Sequence, residues 1–327
     1  INKLEMFKKT HNNRLINQIY DIIVNIKAYG IKNGKRIFVG YNKDIKVKNK
    51  DINKSKRTTF FYVKQNFNNK NNELSESEVN KIICADSEEY LKTLPDNCID
   101  LIFTSPPYNF GMEYETHDDS IVWNDYFKKM DAIITECVRV LKFGGRIAFN
   151  VQPLFSEYIP THHIFSNMFM KHNLIWKAEI IWEKNNYNAK YTSWGSWKSP
   201  SSPYFKYTWE FVEVYCKGDL KKEGKSENSD ITADEFKKWT VGKWSIAPER
   251  GMKLYNHPAM FPEELATRVI KMFSFINDVV LDPFNGAGTT THIAHKLNRK
   301  YIGVDISKEY CKTAKRRITS KISDYYE

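Results

Sequence analysis

From residue 80 onward, short apolar runs alternate with segments whose apolar residues recur at helical spacing. Such runs are typical of strands buried on both faces, and the helical spacing is typical of amphipathic helices. The pattern predicts helices at about 87–94, 123–141, 160–171, 262–274, 288–297 and 307–319. It predicts strands at 81–85, 99–104, 146–151, 174–182, 211–216, 279–282 and 301–305. This alternation indicates an α/β fold with a doubly wound, mostly parallel sheet, in which 211–216 pairs antiparallel with 174–182.

The first 72 residues follow a different pattern. Helical spacing of apolar residues predicts an amphipathic helix over about 12–28, and short apolar runs at 36–39 and 45–47 predict a β-hairpin. Residues 64–78 are polar and rich in Asn, which predicts a linker. We therefore predict a small accessory module at 1–72 and a larger α/β domain at 73–327.

The charge of the chain is unevenly distributed. Residues 1–72 contain 17 Lys and Arg against 4 Asp and Glu, whereas the remaining residues contain 33 against 35. A localised basic block is typical of a surface that binds a polyanion. We therefore expect the module at 1–72 to contact DNA, and the alternative is a low-complexity tail without a binding role.

Composition excludes several classes of protein. No apolar run approaches the roughly 18 residues that a membrane span needs, and no signal-peptide pattern opens the chain. The five cysteines are scattered without a Cys-x-x-Cys pair. We therefore expect no disulfides, no metal site and a cytoplasmic location.

Residues 282–290 read Asp-Pro-Phe-Asn-Gly-Ala-Gly-Thr-Thr and follow a predicted strand. Glycines between a strand and a helix let the backbone approach a ligand, and the helix N-terminus offers N–H groups. The loop lacks the third Gly of a dinucleotide fingerprint and the Gly-Lys-Thr of a P-loop. Asp305 ends the next strand, where an acidic side chain can hold ribose hydroxyls. The alternative is a tight turn followed by a helix-capping Asp.

Residues 104–110 read Thr-Ser-Pro-Pro-Tyr-Asn-Phe and follow another predicted strand. Consecutive prolines stiffen the backbone and leave carbonyls without neighbouring N–H donors. Ser105 Oγ and the Pro106 carbonyl can accept hydrogen bonds from an exocyclic amino group, while Tyr108 offers a ring for stacking. The alternative is a Pro-Pro turn with a buried Tyr. Because both loops lie at the carboxyl ends of parallel strands, we expect group transfer to a planar substrate.

Aromatic and basic residues are interleaved at 184–208 and again at 217–253. Such residues can stack on bases and contact phosphates, although a packed surface lobe also uses tryptophans. We predict a target-recognition region over 184–253, with candidate DNA contacts at Lys184, Trp194, Trp197 and Lys198.

These motifs together resemble the S-adenosylmethionine-dependent amino-methyltransferases of DNA, over roughly residues 80–320. The order, with Ser-Pro-Pro-Tyr before the glycine loop, resembles the permuted β group of that family. Further similarity lies in Leu-Lys-Phe-Gly-Gly at 141–145 and Asn-His-Pro-Ala-Met-Phe-Pro at 256–262. The resemblance implies a circularly permuted, seven-stranded, Rossmann-like sheet with an antiparallel edge hairpin.

The resemblance also implies the cofactor and the site. S-adenosyl-L-methionine is the expected cofactor, and the segment at 256–262 closes over it. The residues expected to bind it are Asp86, Thr104, His257, Pro258, Phe261, Asp282, Phe284, Asn285, Gly286, Gly288, Thr289, Thr290 and Asp305. The expected catalytic residues are Ser105, Pro106, Pro107 and Tyr108, and those expected at the target base are Asn109, Phe110 and Trp182.

The substrate implied by the resemblance is double-stranded DNA, from which the target base must flip. In this family Ser at position 105 usually accompanies cytosine-N4 methylation, whereas Asp or Asn accompanies adenine N6. The resemblance thus implies a cytosine-N4 methyltransferase of a restriction–modification system. The alternatives are an adenine-N6 enzyme and an inactive DNA-binding protein with this fold. Two points stay open. One is whether a cognate restriction endonuclease acts on the same site without forming a stable complex, and the other is whether the protein is a monomer or a homodimer.

Overall fold

The structure is a computed structural model that describes residues 17–19, 29–32, 35–38, 52, 67–107, 122–153, 158–186, 195–205, 207–250, 252–255, 257 and 259–319. The chain divides into two compact units, Ile1–Phe60 and Phe61–Glu327, and each is described by itself.

The smaller unit contains a β-hairpin, but its position differs from the prediction. Strand β1 (Tyr29–Lys32) pairs antiparallel with β2 (Lys35–Phe38), and Lys32 lies opposite Lys35. The hairpin predicted from 36–39 and 45–47 shares only its first strand with this one, and residues 39 and 45–47 lie outside the described residues. The residues between the observed strands are Asn33 and Gly34, the pair most typical of a two-residue hairpin turn. Residues 17–19 are helical, and the other positions of the predicted helix lie outside the described residues.

The larger unit alternates strands and helices. Its strands are β3 (Lys81–Cys84), β4 (Ile99–Thr104), β5 (Leu141–Val151), β6 (Ile175–Glu183), β7 (Trp209–Cys216), β8 (Lys243–Ser245), β9 (Val279–Asp282) and β10 (Lys300–Asp305). Its helices are α1 (Ser87–Lys92), α2 (Trp123–Val140), α3 (Thr161–Lys171), α4 (Ala233–Trp239), α5 (Glu263–Phe273), α6 (Thr289–Lys296) and α7 (Lys308–Thr319). Short 3₁₀ helices occupy Ser226–Asn228 and Met252–Tyr255.

The strands form one sheet in the order β3-β10-β9-β4-β5-β7-β6-β8. Strand β7 pairs antiparallel with both β5 and β6, and the other described pairs of this sheet are parallel. This confirms the mostly parallel α/β sheet and its antiparallel hairpin. Strands β9 and β10, late in the chain, lie between β3 and β4, as a permuted order requires.

The sheet has eight described strands instead of the predicted seven. The additional strand, β8, pairs with β6 at the edge, where Trp244 lies next to Trp182. Trp244 is 1% exposed, so burying its indole offsets the cost of ordering a three-residue strand. Helix α4 precedes β8 and was also not predicted, although Thr232 and Glu235 form a capping box at its start.

Two apolar clusters lie on the opposite faces of the sheet. Residues of α1, α2 and α3 pack on one face, and residues of α4, α5, α6, α7 and β8 pack on the other. Leu74 and Val79 belong to the first cluster, and Phe67 packs against it. The predicted linker at 64–78 is therefore wrong for its described part, since that part is packed on the α/β unit. Phe67 and Leu74, the apolar residues within this polar stretch, were the sequence feature that could have indicated the packing.

Candidate cofactor and catalytic site

A cavity of about 680 Å³ lies at the edge of the sheet where most of the parallel strands end. Antiparallel β7 begins at this same edge. The predicted residues that line the cavity are Asp86, Ser105, Pro106, Pro107, Trp182, Lys184, His257, Phe261, Asp282, Phe284, Asn285, Gly286, Thr289 and Asp305. The fold thus gathers both sequence motifs, which are almost 180 residues apart in the chain, around one space.

Three predicted cofactor residues lie behind the cavity wall instead of lining it, and these are Thr104, Gly288 and Thr290. Thr104 Oγ1 donates to Asp282 Oδ1 at 2.6 Å, and Thr290 Oγ1 donates to the Phe103 carbonyl at 3.3 Å. The hydroxyls of both threonines are therefore engaged in hydrogen bonds within the protein. Tyr108, Asn109, Phe110, Trp194 and Pro258 lie outside the described residues.

The glycine loop is shaped by two left-handed residues. Gly286 has φ +49° and Gly288 has φ +84°. A Cβ on Gly286 would lie 2.6 Å from His257 Nε2, and one on Gly288 would lie 2.6 Å from the Ala314 Cβ. Side chains at either position would thus be strained and obstructed. Gly286 allows close approach at the cavity wall, whereas Gly288 lets α6 begin against α7.

Asp305 holds the turn between the glycine loop and the end of β10. Its carboxylate accepts hydrogen bonds from the backbone N–H groups of Gly286 and Ser307, each at 2.8 Å. Burial raises the pKa of this carboxyl above its ordinary value. The half-buried side chain lines the cavity, and each carboxylate oxygen has more than one lone pair. Asp305 can therefore hold the backbone and still accept from ligand hydroxyls.

His257 is a neutral side chain beside the glycine loop. Burial lowers the pKa of its imidazole to about 4. The Ala259 N–H donates to His257 Nδ1 at 3.3 Å, so the ring proton lies on Nε2. Since Nε2 is the atom closest to where a Gly286 Cβ would lie, the ring presents an uncharged donor at this wall.

The opposite wall of the cavity comes from α1 and α2. Asp86 caps α1 by accepting from the Glu89 N–H, and its carboxylate forms an ion pair with Lys129 at 3.0 Å. Met130 and Ile133 of α2 add apolar surface to this wall. Lys129, Met130 and Ile133 were not among the predicted site residues, and only their helical spacing on α2 could have indicated them.

The Pro-Pro segment after β4 is held by a hydrogen bond from helix α2. Tyr126 is 3% exposed, and its hydroxyl donates to the Pro107 carbonyl at 2.6 Å. Ser105 and Pro107 are half-buried and line the cavity together with buried Pro106. Because one end of the segment continues a buried strand and Tyr126 holds the other, the backbone has little freedom at Ser105. Tyr126 was not predicted from the sequence.

A third group of cavity residues lies at the end of the antiparallel pair β6–β7, where β6 ends and β7 begins. Trp182 is 2% exposed, its ring lines the cavity, and its Nε1–H donates to the Ile246 carbonyl at 2.9 Å. Lys184 also lines the cavity and forms an ion pair with buried Glu210. Its ammonium is thus engaged inside the cavity instead of projecting toward a phosphate. Asn150 and Glu210 were not predicted as site residues.

Arg317 joins the glycine loop to the elements around it. It is 2% exposed and donates to the Ala287 carbonyl at 3.0 Å, to Thr289 Oγ1 at 3.2 Å and to Glu263 at 3.1 Å. Its guanidinium also lies 4.2 Å from the Tyr255 ring centroid. One buried side chain of α7 thus holds the loop, α5 and the Met252–Tyr255 turn in fixed relation.

The aromatic residues of the predicted recognition region have two different locations. Trp197 is 65% exposed, does not line the cavity, and has Lys198 Nζ 5.6 Å from its ring. Trp239 and Trp244 are buried, and the Arg268 guanidinium lies within 6 Å of both rings. Trp239 and Trp244, which belong to the interleaved stretch at 217–253, therefore form part of the core instead of offering faces on which bases could stack.

Within the described residues, no group of three or more His, Cys, Asp or Glu side chains is arranged to hold a metal ion. In the same part of the chain, no helix has the length and apolar character needed to cross a membrane.

Comparison with known proteins assigns the class of this chain. A DNA methylase family model, N6_N4_Mtase, matches residues 99–316. The chain is 31% identical over 250 residues to the type II methyltransferase M.HpaI of Haemophilus parainfluenzae, covering 75% of this chain and 76% of that protein. It is 30% identical over 244 residues to the type II methyltransferase M.BglII of Bacillus subtilis, covering 71% and 67%. The chain belongs to the N6/N4 DNA methylase family.

Solved structures agree with this assignment. The protein TTHA0409 of Thermus thermophilus, complexed with S-adenosyl-L-methionine, matches with a TM-score of 0.59 at 25% identity, covering 73% of this chain and 92% of that one. The PvuII DNA methyltransferase, described as cytosine-N4-specific, matches with a TM-score of 0.54 at 17% identity, covering 75% and 90%. The second likeness shows the fold alone. The protein is a DNA methyltransferase, and S-adenosyl-L-methionine is its cofactor.

Proposed function

We propose that this protein methylates the exocyclic N4 of a cytosine flipped out of double-stranded DNA. The observation that supports this most is the position of Ser105, which lines the same cavity as the glycine loop and Asp305. A neutral hydroxyl in this position can accept a hydrogen bond from an amino group without requiring that group to be charged. The type II relatives further support a role as the modification enzyme of a restriction–modification system.

The residues around the cavity fit the cofactor by chemistry and by space. Asp305 offers carboxylate oxygens for ribose hydroxyls, and the absence of a side chain at Gly286 lets the His257 ring pack against the loop. Neutral His257 and the start of α6 offer N–H donors for a carboxylate. Met130 and Ile133 offer an apolar wall for the adenine ring of the cofactor, and Asp86 lines the cavity beside these two residues. We assign the cofactor-binding roles to these residues.

S-adenosyl-L-methionine, when bound, supplies an electrophilic methyl group. The protein then has to position the acceptor amine. Ser105 Oγ and the Pro106 carbonyl accept its hydrogens, which directs the nitrogen lone pair away from the loop. Tyr126 keeps the loop from moving by holding the Pro107 carbonyl. The displaced proton passes to solvent after transfer.

Flipping the base costs a few kcal/mol of unstacking, which stacking in the site must offset. We assign one stacking face to Tyr108 and the other side to Phe110 or Trp182, of which Trp182 is a buried ring at the cavity wall. Asn109 lies in sequence between the first two and belongs to the same proposed base site.

We assign DNA contacts outside the cavity to the basic module at 1–72 and to the loop around exposed Trp197 and Lys198. Trp194 belongs to the same proposed recognition region, 184–253. Deleting residues 1–60, which form the smaller unit, leaves the packed stretch that contains Phe67 in place. This deletion should weaken DNA binding and reduce the slope of log affinity against log salt, by about 0.9 for each phosphate that the protein no longer neutralises. An unchanged slope would refute the assignment of DNA contacts to the basic module.

The decisive experiment is mass spectrometry of nucleosides from mixed-sequence DNA incubated with the protein and S-adenosyl-L-methionine. N4-methylcytosine is the expected product, and Ser105→Ala should reduce it about 100-fold or more while leaving cofactor affinity within about twofold. N6-methyladenine instead would refute the cytosine assignment but retain the enzyme class. An equal loss of product and of cofactor affinity in Ser105→Ala would refute the catalytic role of Ser105.

A further inference from the structure

Polar side chains follow one face of the sheet from the catalytic loop into the antiparallel hairpin. Thr104 of β4 lies opposite Phe149 of β5, so Ser105 and Asn150 are the next positions on neighbouring strands. Side chains alternate between faces, and the apolar residues two positions earlier, Phe103 and Ala148, both belong to the cluster on the α5 face. Asn150 therefore lies beside Ser105 on the same face.

The row continues across β7 and β6. Glu210 lies opposite Trp182, and Lys184 follows two positions later, directly after the end of β6. Asn150 Nδ2 donates to Glu210 Oε2, and Lys184 Nζ forms an ion pair with Glu210 Oε1. Asn150, Glu210 and Lys184 all line the cavity that Ser105 lines. The three side chains form a chain of contacts that ends next to the catalytic loop.

The charge of Glu210 determines the orientation of the Asn150 amide. Paired with Lys184, Glu210 is a carboxylate, which accepts hydrogen bonds and donates none. The Asn150 amide must therefore turn its NH₂ toward Glu210 and its Oδ1 away from it, because the flipped amide would oppose two acceptors. Asn150 is 1% exposed, and no described residue donates to its Oδ1. Such a buried acceptor costs free energy unless a ligand donates to it.

We propose that Asn150 Oδ1 is a further acceptor for the amino group of the target base, oriented by the Lys184–Glu210 ion pair. This inference rests on the proposed function, since it assigns the flipped base to this cavity. Asn150 acts as a catalytic residue by touching the amine, whereas Glu210 and Lys184 are positioning residues. No bond to carbon forms at Asn150; its oxygen shares one of the two amino N–H groups with a loop acceptor and helps direct the nitrogen lone pair. Cytosine and adenine both present such an amino group, so the role holds for either base.

Equilibrium binding tests the inference without turnover. The ligands are two duplexes carrying the methylated site, mapped beforehand by sequencing, one with the target cytosine and one with 2-pyrimidinone in its place, which lacks the amino group. Purine replaces adenine in the same way if adenine is the methylated base. With S-adenosyl-L-homocysteine present, wild-type protein should prefer the amino-bearing duplex. Asn150→Leu should lower that preference about 3- to 10-fold, as expected when one hydrogen bond is removed.

Kinetics give the second readout. Asn150→Leu should slow single-turnover methylation about 100-fold, in the range measured when a transition-state donor or acceptor is removed. In Glu210→Gln the new amide can donate to Asn150 Oδ1, so this nearly isosteric change should also slow methylation. The double variant Asn150→Leu with Glu210→Gln should be no slower than Asn150→Leu alone, because the two residues act as one unit.

Asn97→Leu is the control, and it is the harsher change, because Asn97 has a left-handed backbone with φ +54°. Asn97 is also buried, at 3% exposure, but it lies at the amino end of β4, where both atoms of its amide have protein partners. It controls for general destabilisation. An unchanged duplex preference in Asn150→Leu, or a preference lowered equally in Asn97→Leu, would overturn the inference. Wild-type protein that methylates no DNA would overturn the proposed function as well, whereas wild-type methylation with an unaffected Asn150→Leu would overturn the inference alone.

Discussion

Asp282 at the end of β9 should cost the folded protein stability at neutral pH. Its side chain is 2% exposed, and burial raises the pKa of its carboxyl from an ordinary 3.8 to about 6. Hydrogen bonds from Thr104 Oγ1 at 2.6 Å and the Phe284 N–H at 3.0 Å offset only part of the burial. A pKa raised by about two units corresponds to about 3 kcal/mol of stability forfeited once the group is ionised in the folded state.

The sign of the pH dependence follows from the raised pKa. The folded state binds the proton more tightly than the unfolded state, so the cost is small below pH 3.8, grows as the pH rises and is complete above about pH 6. Asp282→Asn cannot ionise, yet its Oδ1 can still accept from Thr104 and Phe284. We expect the stability of the variant, relative to wild type, to increase by about 1.5 kcal/mol between pH 5 and pH 8 and to level off above about pH 7.

Urea denaturation of both proteins without cofactor, at fixed salt and at four pH values from 5 to 8, measures this difference. Asp234→Asn is the control, since it makes the same chemical change at a side chain that is 95% exposed. A difference between Asp282→Asn and wild type that stays constant with pH, or that falls as pH rises, would refute the reasoning.

The remaining predictions concern the cofactor loop and the aromatic residues. Gly286→Ala should weaken S-adenosyl-L-methionine binding about tenfold or more by calorimetry, because of its φ of +49° and the 2.6 Å approach of His257, whereas Gly242→Ala, whose Cβ would meet nothing closer than 3.6 Å, should not. Equal affinities would show that the loop adapts. Trp244→Ala should destabilise the protein by about 3–5 kcal/mol in urea denaturation, since it empties a core position. Trp197→Ala should leave the melting temperature unchanged and weaken duplex binding in fluorescence anisotropy, and the reverse result would place this ring in the core.

Much of the fold was predictable because its strands are buried on both faces. Residues 279–281 and 101–103 are short, uninterrupted apolar runs, which are typical of central parallel strands. Strand β8 was not predictable in this way, since three residues carry no periodicity. Its pairing depends on Trp244 packing beside Trp182, on a strand about 60 residues earlier.

Part of the candidate site was likewise predictable from the sequence, and part was not. The glycine loop and the Pro-Pro segment are local motifs, in which backbone geometry requires particular residue types at fixed spacing. Asn150 and Glu210 carry no such signal, because an Asn near the end of a strand and a Glu near the start of one are ordinary residues. Only the pairing of β5 with β7 brings them into hydrogen-bond contact.

The tryptophans show why composition alone was ambiguous. Interleaved aromatic and basic residues serve equally for stacking on bases and for packing a core around a buried Arg. Trp197 and Trp244 occur in similar sequence surroundings, yet one is 65% exposed and the other 1%.

The sequence by itself determined the order of elements, the class of site and the chemistry of its two loops, since each depends on residues within a few positions of one another. The tertiary structure decided which polar side chains meet in the cavity, which aromatic rings face solvent and which carboxyls have raised pKa values. Those properties depend on burial and on contacts between strands distant in the chain, and no local spacing encodes them.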